Sequence, residues 1–222
     1  LLVSCNENDT VAVSDPISEQ ETSALIPADD LSDEVSNIID DFLVESEDFS
    51  KSSETESKKE DILPCLTKTI VLTSTTKTVT LDFGEGCELP NGNVLSGKII
   101  MSNAIDTDMA SLTISQTFEN FYFNDISVEG GNTIVRVREN ENGNPQSTIT
   151  FDTTLTWPDG VFASREGTKV REWIEGYDTR EFGDNVFLIT GNWSATFRDG
   201  TVLSANVLEP LRREMACKFI VS

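Results

Sequence analysis

From residue 62 onward, apolar and polar positions alternate. Val79, Leu81 and Phe83 are interleaved with Thr78, Thr80 and Asp82. Ile149, Phe151, Leu155 and Trp157 share one parity, and Thr148, Thr150, Asp152 and Thr154 take the other. The longest run is Phe187, Ile189, Gly191, Trp193, Ala195 and Phe197. A period of two puts one set of side chains on one face of a strand, so these are half-buried strands. Turn signals separate them: Pro90-Asn91-Gly92, Gly130-Gly131-Asn132, Asn142-Gly143-Asn144, Pro158-Asp159-Gly160 and Arg198-Asp199-Gly200. Short turns make sequential strands antiparallel neighbours. The pattern predicts an all-β domain over 62–222, an antiparallel meander of about eight to ten strands. A curled sheet and a sandwich both fit it, and no helical period occurs within it.

Before residue 62 the pattern is different. Residues 6–61 are rich in Asp, Glu, Ser, Thr and Asn and poor in aromatics. Such a stretch buries too little apolar surface to offset its ordering entropy, and reads as a disordered, flexible tether. One segment departs from this. Leu31, Val35, Ile38, Ile39, Phe42 and Leu43 recur at helical spacing, and Asp29 and Asp30 can cap the free amides of a first turn. They predict a short amphipathic helix over 31–44. The expectation is a transient helix that docks weakly or not at all; the alternative is a helix that binds a partner.

Charge follows the same division. Residues 6–61 hold 18 acidic and 3 basic side chains, a net −15 out of a total of −23. So acidic a chain repels nucleic-acid phosphates and anionic headgroups. No nucleic-acid partner is expected, and membrane attachment needs a lipid. The lipid has a candidate site. Leu1-Leu2-Val3-Ser4-Cys5 reads as the end of a bacterial lipoprotein signal: an apolar run, small side chains, then a thiol. On this reading 1–4 are the remnant of the signal peptide, and Cys5 is the lipidated first residue of a tether over 5–61. The expected location is the cell envelope, as an outer-membrane lipoprotein facing the periplasm or the surface.

The chain has no histidine. It therefore lacks the commonest general base, and the Ser-His-Asp and Cys-His constellations with it. No cofactor and no metal are expected. Glu172, Glu175 and Asp178 lie close to Trp173 and Tyr177 in sequence, a composition that can serve a carboxylate-based carbohydrate-active hydrolase. Acidic chains produce such clusters by chance, and the reading preferred is a non-catalytic binding or scaffolding module. Asn140-Glu141-Asn142-Gly143-Asn144 offers oxygens at alternate positions but lacks the closing bidentate Glu of a calcium loop, and reads as a hairpin turn. Among the aromatics Tyr122, Trp157, Trp173, Tyr177 and Trp193, the two tryptophans Trp157 and Trp193 share parity with apolar neighbours and belong to the core. Trp173 and Tyr177, beside Gly176, are the candidate surface for a glycan or another envelope protein. Asp9-Thr10-Val11 matches a short O-glycosylation signal at Thr10, and Asp152-Thr153-Thr154 repeats it in mid-strand.

An exported protein meets an oxidising compartment, where thiols pair. With Cys5 acylated, Cys65, Cys87 and Cys217 remain. A hairpin reversing near Ser74-Thr75-Thr76 brings Cys65 and Cys87 together and predicts a disulfide between them, with Cys217 left odd.

The segment Thr80-Leu81-Asp82-Phe83-Gly84-Glu85-Gly86-Cys87, followed by Ser96-Gly97-Lys98-Ile99-Ile100, resembles a family of Bacteroidota envelope lipoproteins of unknown function. Its members carry an FGxGC turn and then a G-x-G-K-I type strand. Arg171-Glu172-Trp173-Ile174-Glu175-Gly176, Ile189-Thr190-Gly191-Asn192 and the closing Cys217-Lys218-Phe219-Ile220-Val221-Ser222 fit the same pattern. The resemblance covers about 62–222. It implies an envelope location, an all-β fold, and a chain that continues past Ser222, so that the β domain is truncated at its C-terminus.

Overall fold

The structure is a computed structural model that describes residues 31–40, 63–105, 111–179 and 181–217. Residues 31–40 form one helix, α1. Eleven strands follow: β1 (Thr67–Leu72), β2 (Thr76–Asp82), β3 (Cys87–Glu88), β4 (Val94–Ala104), β5 (Ser111–Phe123), β6 (Ile126–Val137), β7 (Gln146–Thr156), β8 (Phe162–Glu175), β9 (Val186–Phe197), β10 (Val202–Asn206) and β11 (Leu211–Glu214). All join one antiparallel sheet in the order β1-β2-β4-β5-β6-β7-β8-β9-β10, with β3 paired to β4 and β11 to β9. The all-β meander is thus an unclosed sheet, with slightly more strands than the pattern predicts because β3 and β11 are short.

Four of the five turn signals fall between strands. Gly130-Gly131-Asn132 does not: it lies inside β6. The reason is close approach. A Cβ on Gly131 would stand 2.6 Å from the carbonyl oxygen of Gln116 on β5, next to a register shift between Thr117 and Phe121. A glycine pair within a strand marks such a bulge as readily as a turn.

The alternation buries one face. On β7 the inward set is Ser147, Ile149, Phe151, Thr153 and Leu155, and the residues between them are half-buried or exposed. The equivalent positions of β2, β4, β5, β6, β8 and β9 meet in one apolar cluster with Leu31, Val35, Ile38 and Ile39 of α1. The sheet curls around the helix, and every described helix residue except Ser32 is buried. This corrects the expectation of a weakly docked helix. The apolar face of α1 is the expected one, but its polar face is buried too. Phe42 and Leu43 lie outside the described residues.

Ahead of β1, Cys65 is bridged to Cys87 with 5.4 Å between Cα atoms, as the hairpin placement predicts. The β1–β2 reversal falls at 73–75. Cys217 is buried and is not a free thiol, which corrects its reading as the odd cysteine.

Candidate functional site

The most unusual chemistry lies inside the sheet. β8 alternates inward through Ala163, Arg165, Lys169, Arg171 and Trp173, all buried. Arg136 on β6 and Arg213 on β11 are also buried and reach the same space. Among the described residues, five basic side chains thus occupy core positions. A buried charge persists only when paired, and α1 supplies partners.

Asp40 receives Arg136 Nη1 at 3.0 Å, the Ser147 hydroxyl at 2.8 Å and Arg171 Nε at 3.4 Å. Asp33 lies 3.4 Å from Lys169 Nζ, 3.3 Å from Arg171 Nη1 and 3.9 Å from Arg213 Nε. Glu34 lies 3.8 Å from Arg213 Nη2 and accepts a hydrogen bond from the Asn91 amide in the β3–β4 turn. Asn185, just before β9, donates to Asn37 at 3.0 Å. Helical spacing explains the division of labour. Asp33, Asn37 and Asp40 fall at i, i+4 and i+7, on one stripe of the helix. Burial pushes the Asp33 carboxyl up, but Lys169, Arg171 and Arg213 together pull it below its ordinary value. Aromatic faces back the cations: Arg171 sits 4.0 Å from the Phe187 ring centre and Lys169 4.7 Å from that of Trp193. Three carboxylates thereby meet Arg136, Lys169, Arg171 and Arg213. Among the described residues, Arg136 Nε and Nη2 and Arg171 Nη2 are buried donors without a hydrogen bond.

Beside Leu31 and Val35 of α1, a small, partly open cavity of about 30 Å³ is lined by Phe118, Ile149, Phe151 and Arg165, among others. Through Arg165 it adjoins the cationic face.

The residues singled out in the sequence lie elsewhere. Trp173, expected at the surface, is only 1% exposed. Its indole N–H donates to the Glu175 carbonyl at 2.7 Å, and its ring packs on Phe187. It points inward because it shares the parity of Lys169 and Arg171 on β8. Tyr177 is exposed, with its ring edge-on to Trp173 at 6.4 Å. The pair is therefore a core residue with a surface neighbour and not an exposed platform. Tyr122 is exposed, and Trp157 and Trp193 are partly buried against the core.

Glu172 accepts hydrogen bonds from Asn142 and Asn144, both at 2.8 Å. The asparagines of this loop, led by Asn144, hold its carboxyl below the ordinary value. The Asn140 side chain accepts the backbone amides of Asn142 and Asn144, so 140–144 is a hairpin turn tied to β8. Glu175 pairs with Arg212 at 2.9 Å, and Asp178 lies at the exposed turn after β8. Thr153 is buried in mid-strand on β7. Cys5 and Thr10 lie outside the described residues.

Sequence reasoning missed the cationic face. The signal was present: Arg165, Lys169 and Arg171 share the parity of Trp173, and basic residues at core parity require buried acids. Comparison with known protein families, with curated proteins and with solved structures finds no match to this chain.

Proposed function

We propose that the chain is a membrane-anchored, non-catalytic lipoprotein of the cell envelope, whose β domain is a binding or scaffolding module. The observation that carries the reading is the inner face of the sheet. Its cations are arranged to grip an acidic, amphipathic element through side-chain charge and shape. That is recognition chemistry. A buried arrangement of paired charges gives specificity more than net stability. The resemblance to envelope lipoproteins, the Leu-Leu-Val-Ser-Cys start and the acidic stretch after it support the location. On this reading a thioether at Cys5 holds the chain to the outer membrane, and residues 6–30 separate the anchor from α1. Fully extended, those residues reach roughly 80 Å.

Replacing Cys5 with Ser in the full precursor tests the anchor. The expected result is release from the membrane fraction or an uncleaved precursor. A processed Cys5→Ser protein that still sediments with membranes overturns it. Reproducible turnover of any glycoside or ester by the wild-type protein overturns the non-catalytic part.

A further inference from the structure

We propose that the cationic inner face of the sheet is a docking groove for an acidic amphipathic helix, that residues 31–40 are its built-in occupant, and that the same helix from a second copy of the chain can replace it. This groove is the site, and the acidic helix the ligand class, of the binding module proposed above, on which the inference rests.

Three observations converge. First, α1 takes no part in the strand ladder. It is held by side chains: the apolar set Leu31, Val35, Ile38 and Ile39, and the ion pairs of Asp33, Glu34 and Asp40. Second, the complementarity is one of charge sign as well as shape. Apolar side chains alone would fill the space inside a sheet. Buried charges add selection, since a helix without the carboxylates would strand several cations away from water. Third, the match is incomplete on both sides. Arg136 Nε and Nη2 and Arg171 Nη2 on the sheet, and Asp33 Oδ2 on α1, are buried and make no hydrogen bond among the described residues, so the helix and the groove are held by charge more than by a saturated hydrogen-bond network. The groove therefore favours carboxylate-bearing ligands. A second copy brings that helix with the right spacing of apolar and acidic positions. The 22 residues from 41 to 62 separate α1 from the described β domain. Their contour of roughly 70 Å is long enough to carry a helix to a neighbouring sheet.

The test uses the full chain and a fluorescein-labelled peptide of residues 29–44. In the wild-type chain the covalent helix competes at an effective concentration in the millimolar range. In an Asp33→Asn, Asp40→Asn chain the built-in helix has lost its two principal carboxylates. The expected result is anisotropy-detected binding of the peptide to the double variant at least ~100-fold tighter than to the wild type. A peptide carrying Asp33→Lys and Asp40→Lys is expected to bind neither. A folded double variant that ignores the wild-type peptide, or takes both peptides equally, overturns the proposal. If the double variant does not fold, the Asp40→Asn chain is refolded with and without peptide. A rise in Tm with the wild-type peptide alone supports the groove, and no rise overturns it. Such a failure leaves a binding module whose ligand docks elsewhere, whereas turnover of a substrate would remove the module reading itself.

Discussion

At the residue scale, burial separates side chains that are neighbours along the chain. Trp173 and Tyr177 are four apart, yet one is core and the other surface. Trp173→Ala removes a ring packed on Phe187 and a hydrogen bond to the Glu175 carbonyl, and is expected to lose about 3–5 kcal/mol. Tyr177→Ala is expected to lose about 1 kcal/mol, from an edge contact at the surface. Urea unfolding of the two single variants checks the contrast; equal losses would place both rings in the same environment. Asp33 adds a pH dependence. Its folded-state carboxyl lies below its ordinary 3.8, because the pull of Lys169, Arg171 and Arg213 outweighs the burial that opposes it. A group depressed on folding contributes its full stabilisation above the unfolded value. That contribution is lost as pH falls below about 3.8 and through the lower folded value. The stability of Asp33→Asn should therefore fall less steeply than that of the wild type across this window. Parallel curves from urea unfolding at a series of acid pH values would show that Asp33 is not depressed.

At the element scale, the helix and the sheet are interdependent. Removing one partner of a buried ion pair costs about 3–5 kcal/mol, because the other charge stays buried. Asp40→Ala removes the carboxylate that pairs with Arg136 and accepts the Ser147 hydroxyl, leaving Arg136 only the Ser147 oxygen, and a loss in that range is expected by thermal or urea unfolding. A loss below ~1 kcal/mol, the scale of exposed pairs, would mean that water reaches the network. How much of this was legible follows from the kind of signal each element carries. Strands β2, β7 and β9 were readable because period two is a local pattern, and so was the Cys65–Cys87 bridge, because a hairpin fixes which cysteines meet. The helix was readable as a helix for the same reason. Its docking was not, because the apolar stripe of α1 accounts for only one of its faces. The other face is buried only because Arg136, Lys169, Arg171 and Arg213 come to it from three strands, up to about 180 residues away in sequence. Parity places those cations on the inner side of their strands, but only the curl of the sheet brings them to one place. Gly130-Gly131 failed in the opposite direction: its composition matches a turn, and a close approach between β5 and β6 explains it instead.

At the scale of the whole molecule, the cysteines and the charge balance each lead to a measurement. The chain has four cysteines; Cys65 and Cys87 use each other, and Cys217 is not free. A Cys5 that carries a thioether cannot also join a disulfide, so the anchor and a Cys5–Cys217 bridge exclude each other. Mass spectrometry of unreduced protein extracted from membranes decides between them: the anchor reading expects an acylated Cys5 peptide, which leaves Cys217 no partner among the chain's four cysteines. A peptide joining Cys5 to Cys217 would remove the anchor.

The charge balance follows from the fold. Among the described residues, Arg136, Lys169, Arg171 and Arg213 are buried against the three carboxylates Asp33, Glu34 and Asp40, within a chain of net charge −23. Exposed like charges repel, and salt screens them over about 10 Å at 0.1 M; the buried pairs around Asp33 and Asp40 are screened far less. Two opposing responses are thus separated by depth. Raising NaCl from about 10 to about 150 mM should increase Tm by a few degrees, corresponding to roughly 1 kcal/mol of relieved repulsion. A fall in Tm over the same range would mean that the ion pairs between α1 and the sheet are open to solvent, and that the inner face holds its helix through screened surface contacts.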